Sequence, residues 1–156
     1  MNNRAAEHAT FTIERHFDVP PTRAFAAWAE PEIKARWFAA PSDKCKELSR
    51  IQDFRVGGRD HLKGAWHGGQ TSTFDAIYHD IVPNKRIIYS YEMHLDEKKI
   101  SVSLATIEFK KSGSGTKMTV TEQGTFLDGY DDSGSREQGT KGLLDKLEAE
   151  LKDLMT

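Results

Sequence analysis

The sequence predicts an α+β domain in which one curved antiparallel sheet wraps around a long C-terminal helix and encloses an apolar cavity. Three observations carry this. Much of the chain alternates between apolar and polar residues in runs joined by Gly, Pro and Asn, the mark of half-buried strands. Leu143, Leu147, Leu151 and Leu154 recur at helical spacing near the C-terminus, with Lys141, Asp145, Glu148 and Lys152 on the opposite face. Between the first alternating run and the next lie two proline-initiated segments rich in aromatic residues.

Residues 1–9 are expected to form a loose tail, and 10–156 a single domain. Thr10 to Val19 reads as a strand, with Phe11, Ile13 and Arg15 on one side. Pro20-Pro21 breaks it and suits the first turn of a helix, where a missing N–H costs nothing. Phe25, Trp28 and Ala29 follow at helical spacing; Pro31 opens a second short helix with Ile33, Trp37 and Phe38 on its apolar stripe. These aromatics are expected to seal one end of the sheet.

After a polar loop from Pro41 to Lys46, strands are expected over Leu48–Val56 and Gly58–His67, turned by Gly57-Gly58. Thr71–Val82 and Arg86–Leu95 follow, separated by Pro83-Asn84; in the latter, Ile87, Tyr89, Tyr91 and Met93 share a face. Ile100–Lys111 and Thr116–Thr125 form a hairpin around Ser112-Gly113-Ser114-Gly115. Short turns between successive strands imply an antiparallel meander. An acidic loop, Leu127 to Gly134, leads to the last helix and is expected to gate the cavity. Ser135 with Gln138 reads there as a capping box.

The length of 156 residues suits one domain with a full core. With a formal net charge of -2 and no basic half, nothing points to phosphate-backbone binding, and no nucleic-acid partner is expected. Cys45 is the sole cysteine, so no internal disulfide supports the fold. The polar start, Met1 to Thr10, lacks the apolar run of a signal peptide, and no segment approaches a membrane span. The expected location is cytoplasmic, without a membrane partner.

The order strand, two short helices, six strands, long helix resembles the helix-grip fold of the START-like, or SRPBCC, superfamily. Local motifs narrow it. Val19-Pro20-Pro21 through Phe25, Trp28, Pro31, Ile33 and Trp37-Phe38 is one; Asp53-Phe54-Arg55-Val56-Gly57-Gly58-Arg59 is another. Ile81-Val82-Pro83-Asn84-Lys85-Arg86-Ile87 and Gly115-Thr116 through Thr121-Glu122-Gln123-Gly124 complete the pattern with the leucine-rich helix. By these the chain resembles the homologues of the activator of the heat-shock-protein-90 ATPase, over about residues 10–154. The resemblance implies a cavity for hydrophobic small molecules between sheet and helix, and a possible homodimer by family habit. The eukaryotic co-chaperone that names the family has an additional N-terminal domain for which this chain has no room. ATPase activation is therefore not expected, and no catalytic motif transfers.

The histidines His8, His16, His61, His67, His79 and His94 are scattered without metal-ligand spacing, so no metal site or cofactor is expected. Cys45 lies between Lys44 and Lys46, which would favour its thiolate, but a lone loop cysteine is usually incidental. No GxSxG elbow is present, and Gly57-Gly58 and Gly68-Gly69 read as turns. No catalytic residue is assigned.

Polar groups on apolar faces stand out instead. If Met118 and Val120 point inward, so does Glu122. Arg136 and Thr140 fall on the leucine face, before Leu143-Leu144, and Tyr89 and Tyr91 bring hydroxyls to an inward face. The plainer alternative has Glu122 at a bulge and Arg136 in solvent. The inward alternative makes Tyr89, Tyr91, Met93, Glu122, Arg136, Thr140 and Leu144 a ligand-binding set, with Glu122 and Arg136 offsetting each other's desolvation. Gly139 and Gly142 are costly inside a helix, which close approach of a ligand or strand would explain. Binding of a small hydrophobic or amphipathic molecule is the leading expectation. Alternatives are a cyclase, hydrolase or lyase using Glu122 as acid or base, and a co-chaperone-like interaction module.

Overall fold

The computed structural model describes residues 4–153. A first strand, β1 (Ala6–Phe17), leads to two short helices, α1 (Pro21–Ala29) and α2 (Pro31–Trp37). Six strands follow: β2 (Cys45–Gln52), β3 (Arg59–Trp66), β4 (Thr71–Val82), β5 (Arg86–Leu95), β6 (Lys98–Ser112) and β7 (Gly115–Leu127). The long helix α3 (Ser133–Asp153) closes the chain. The sheet order is β1-β7-β6-β5-β4-β3-β2, antiparallel throughout. This is the expected α+β helix-grip architecture: a seven-stranded antiparallel sheet, its long helix, and two short helices after the first strand.

Turn chemistry sets the register. Asn84 and Asp96 adopt φ of 65° and 53° in the β4–β5 and β5–β6 turns, a left-handed conformation that short polar side chains tolerate. Gly58 is needed for space: a Cβ there would lie 2.0 Å from the Asp53 carbonyl oxygen. Pro21 and Pro31 each begin a helix, as their fixed φ favours.

The core lies between the inner sheet face and the helices. Phe11, Ile13 and Phe17 of β1 and Met118 and Val120 of β7 are buried by strict alternation. From α3, Leu144, Leu147 and Leu151 are buried and Leu143 is half-buried; Leu154 lies outside the described residues. Burial of each such leucine stabilises by about 1.5–3 kcal/mol. Trp28 and Trp37 pack edge to face, and the Trp37 indole donates to the Ala27 carbonyl.

Four expectations shift. The stretch 1–9 is no loose tail from Ala6 onward: Ala6 to Ala9 pair with Leu127 to Gly124, and Asp128 ties down Ala5 through both of its backbone groups. Side chains there are mostly exposed, so no apolar period betrays the strand. The second strand runs over Cys45–Gln52 rather than Leu48–Val56, and a bulge at Leu48 breaks its alternation. Cys45 is consequently buried in a strand, not exposed in a polar loop. Asp132, not Ser135, caps α3: its carboxylate accepts the Ser135 N–H at 2.8 Å and the Ser135 hydroxyl at 3.0 Å.

Candidate functional site

Sheet and α3 enclose a cavity of about 630 Å³ with mainly apolar walls. Tyr89, Tyr91, Met93, Glu122, Arg136, Thr140 and Leu144 all border it. The period of two brings the first four inward from β5 and β7, and the helical period brings the last three from α3. Aromatic residues first read as an end seal also line it: Trp28, Trp37 and Phe38, joined by Trp66 from β3.

One polar cluster interrupts the apolar wall. Glu122 is 5% exposed, and its carboxyl accepts the Tyr91 hydroxyl on one oxygen and the Thr140 hydroxyl, at 3.1 Å, on the other. The Tyr91 oxygen in turn accepts from Arg136 Nη1 at 3.1 Å. Arg136 Nη2 donates to Ser101 at 2.7 Å and to Asp131 at 2.8 Å. Glu122 and Arg136 therefore meet through the Tyr91 hydroxyl, and the carboxylate paired with Arg136 is Asp131.

The electrostatics follow from this chain of contacts. Burial pushes the Glu122 carboxyl above its ordinary range, against the opposing pull of the Tyr91 hydrogen bond, the Arg136 charge and Thr140. Burial also raises the Tyr91 phenol, and the Glu122 charge adds to it. Burial works against the Arg136 charge, but Tyr91 and Asp131 outweigh it and hold the guanidinium in its charged form. A carboxyl with a raised proton affinity, in a mostly apolar wall, can donate to or accept from one polar group of a guest.

A second polar group lies behind the aromatic wall. Lys34 and Asp60 form a buried ion pair, and the Tyr78 hydroxyl donates to the same Asp60 oxygen at 2.8 Å. The Lys34 ammonium sits 4.6 Å from the centre of the Phe38 ring and 5.8 Å from that of Tyr89. Sequence reading missed this pair, though signals existed. Asp60 shares the parity of Leu62, Gly64 and Trp66, and Lys34 precedes Trp37 and Phe38 by three and four residues. Ser101 and Asp131, the anchors of Arg136, carried no such signal.

The mouth lies where α3 faces the segment after α2. Ala39, Ala40, Pro41 and Ser42 border one side and Gly139, Gly142 and Lys146 the other, with Lys146 Nζ donating to the Ala39 carbonyl at 2.7 Å. Among the described residues, none from 127–134 borders the cavity, which counts against the gating role expected of that loop. A Cβ built on Gly139 or Gly142 meets nothing within 4 Å, which excludes a close strand as the reason for glycine. Among the described residues no group of three His, Cys, Asp or Glu is placed to hold a metal ion, and no helix is long and apolar enough to cross a membrane.

The family model of Activator of Hsp90 ATPase homolog 1-like protein matches residues 18–152. A solved structure of a Rhizobium leguminosarum protein is similar at 50% identity, over 97% of this chain and 99% of that one, with a TM-score of 0.92. One from Rhizobium loti is 42% identical over 94% and 99% of the two chains, with a TM-score of 0.87. One from Chromobacterium violaceum is 25% identical over 90% and 94%, with a TM-score of 0.73. No curated protein matches. With the family model covering most of its length and relatives at 50% and 42% identity, the chain belongs to the Activator of Hsp90 ATPase homolog 1-like family.

Proposed function

We propose that the protein binds a small, largely apolar molecule bearing one hydrogen-bonding end. The observation that carries this reading is the cavity of about 630 Å³, apolar except where Glu122, Tyr91, Arg136 and Thr140 converge. Its size lies in the range of small-molecule sites, and a few polar groups in an apolar wall are how such sites orient a guest. The fold of this family commonly holds hydrophobic ligands between sheet and helix, which supports the same reading. Native mass spectrometry of protein purified from its own source tests it. A discrete added mass that disappears on denaturation is expected; bare protein alone, under conditions that keep the fold, counts against it.

A second reading has one specific observation in its favour. Burial raises the proton affinity of Glu122 despite the hydroxyls that donate to it, and a carboxyl with raised proton affinity facing a cavity is what a general acid requires. In that reading Glu122 hands a proton to the bound molecule, and Glu122→Gln abolishes turnover while leaving binding nearly unchanged. In the binding reading Glu122→Gln weakens binding, because one oxygen that accepts from Tyr91 or Thr140 becomes a donor.

A further inference from the structure

The opposite face of the sheet carries an arrangement that the cavity does not use. Three adjacent strands each contribute one polar side chain to the outer surface: Ser49 from β2, His61 from β3 and Asp75 from β4. Ser49 Oγ lies 2.7 Å from His61 Nε2, and His61 Nδ1 lies 2.7 Å from Asp75 Oδ1. The same Asp75 oxygen accepts from Arg59 at 2.8 Å. We propose that Ser49, His61 and Asp75 form a nucleophilic site that accepts the acyl group of small activated esters.

The roles follow from which atoms meet. Asp75 accepts the His61 Nδ1 proton, which leaves Nε2 with its lone pair toward the Ser49 hydroxyl. That is the tautomer a general base requires, and such sites are recognised by geometry and roles rather than by sequence position. Partial burial opposes ionisation of Asp75, yet the hydrogen bonds from His61 and Arg59 hold it below the ordinary carboxylate range. Exposure is graded in the useful sense. The Ser49 residue is open to solvent, while the His61 side chain is only 13% exposed. The bulge at Leu48 immediately precedes Ser49, and bulges re-aim side chains next to active sites.

The surroundings define the substrate class. Lys63 is the cross-strand partner of Ser49 and shares the outer parity of His61. Among the described residues it makes no ion pair or side-chain hydrogen bond, so its ammonium can meet a developing oxyanion. Ile51 stands directly across from His61 and is 49% exposed, an apolar rest for a short acyl chain. In the reaction, Ser49 Oγ bonds to the acyl carbon and its proton passes to His61 Nε2. The carbonyl electron pair moves onto oxygen beside Lys63. Collapse breaks the carbon–oxygen bond to the leaving alkoxide, which takes the proton from His61. Water repeats the sequence, releases the carboxylic acid and restores the Ser49 hydroxyl.

The test is to treat the full chain with an alkyl fluorophosphonate and map the adduct by peptide mass. One adduct on Ser49 is expected, absent from Ser49→Ala. In His61→Gln, labelling at Ser49 should slow by about 100-fold, the scale of general-base assistance. Folded wild type should label faster than urea-unfolded wild type, because only the fold brings His61 to Ser49. In Asp75→Asn labelling at Ser49 should slow as well, by about tenfold or more, because the amide no longer fixes the His61 tautomer. No adduct at Ser49, or a rate unchanged in His61→Gln with an unaltered circular dichroism spectrum, overturns the proposal. If His61→Gln unfolds, equal labelling rates for folded and urea-unfolded wild type overturn the proposal equally.

Discussion

Replacing Asp60 by Asn tests how the wall behind the cavity is held. The Asp60 and Lys34 side chains are 4% and 3% exposed, so neither charge has water to fall back on. Asp60 Oδ2 takes both the Lys34 ammonium and the Tyr78 hydroxyl, which makes it the hub of the cluster. Burial lowers the Lys34 pKa, and Asp60 is what opposes that fall. Asn keeps the shape and removes the charge, stranding a buried ammonium beside the Phe38 and Tyr89 rings. Breaking a buried pair in this way costs about 3–5 kcal/mol. Against a total stability of about 5–15 kcal/mol this is a large fraction. At roughly 2–4 °C per kcal/mol for this chain length, the midpoint should fall by about 6–20 °C. The double variant Lys34→Met, Asp60→Leu restores an uncharged interior and should lie within about 2 kcal/mol of wild type. The sign of the pH effect is fixed too. With its folded-state pKa below the unfolded value, Lys34 costs stability at low pH, and the cost fades as pH rises through the folded value toward about 10.4. The Asp60→Asn deficit should shrink in that direction. Urea unfolding followed by tryptophan fluorescence reads all of this. A loss under about 1 kcal/mol for Asp60→Asn, or costs that simply add in the double variant, would refute the reasoning.

Three further outcomes follow from the helix and the cavity wall. Leu147→Ala should cost about 2–5 kcal/mol in urea unfolding, because the side chain is fully buried; a loss under about 0.5 kcal/mol contradicts that packing. Glu122 has a folded-state pKa above the unfolded one, so the folded state holds its proton more tightly. Wild-type stability measured against Glu122→Gln should therefore be greatest at or below about pH 4.3. It should fall as pH rises through the folded value, by about 1.4 kcal/mol per unit of separation; a difference growing with pH is the contrary result. Gly139→Ala should stabilise by up to about 1 kcal/mol, since the new methyl meets open space and the helix loses a glycine; thermal unfolding showing a loss would mean the space is not open.

Where side chains decide the structure, the sequence is easy to read. The parity of Tyr89, Tyr91 and Met93, and of Met118, Val120 and Glu122, places them on the inner face, and the helical period does the same for Arg136, Thr140, Leu144 and Leu147. Where backbone pairing decides, the signal fades. The start of β1 at Ala6 is held by ladder hydrogen bonds to β7 while its side chains stay mostly exposed. The α3 cap falls to Asp132 because the helix begins two residues before Ser135, and both residues suit a cap by composition. Contacts between distant elements are the least legible. Ser101 and Asp131 anchor Arg136 from β6 and from the loop before α3, and the Ser49–His61–Asp75 alignment depends on the register of three strands. Alternation says which face a residue takes, not which residue stands opposite.

The central claim is that the cavity takes a guest, and the tryptophans supply the readout. Trp28, Trp37 and Trp66 all border it, so a fluorophore bound inside receives their excitation energy. Titrating wild type, Gly139→Ala and Gly139→Phe with 8-anilinonaphthalene-1-sulfonate tests the claim most directly. Wild type and Gly139→Ala should show saturable, one-to-one energy transfer, and Gly139→Phe, which fills the mouth from α3, should bind at least about tenfold more weakly, a change of about 1.4 kcal/mol. Energy transfer that never saturates in wild type, or equal affinity in all three proteins, would contradict the account.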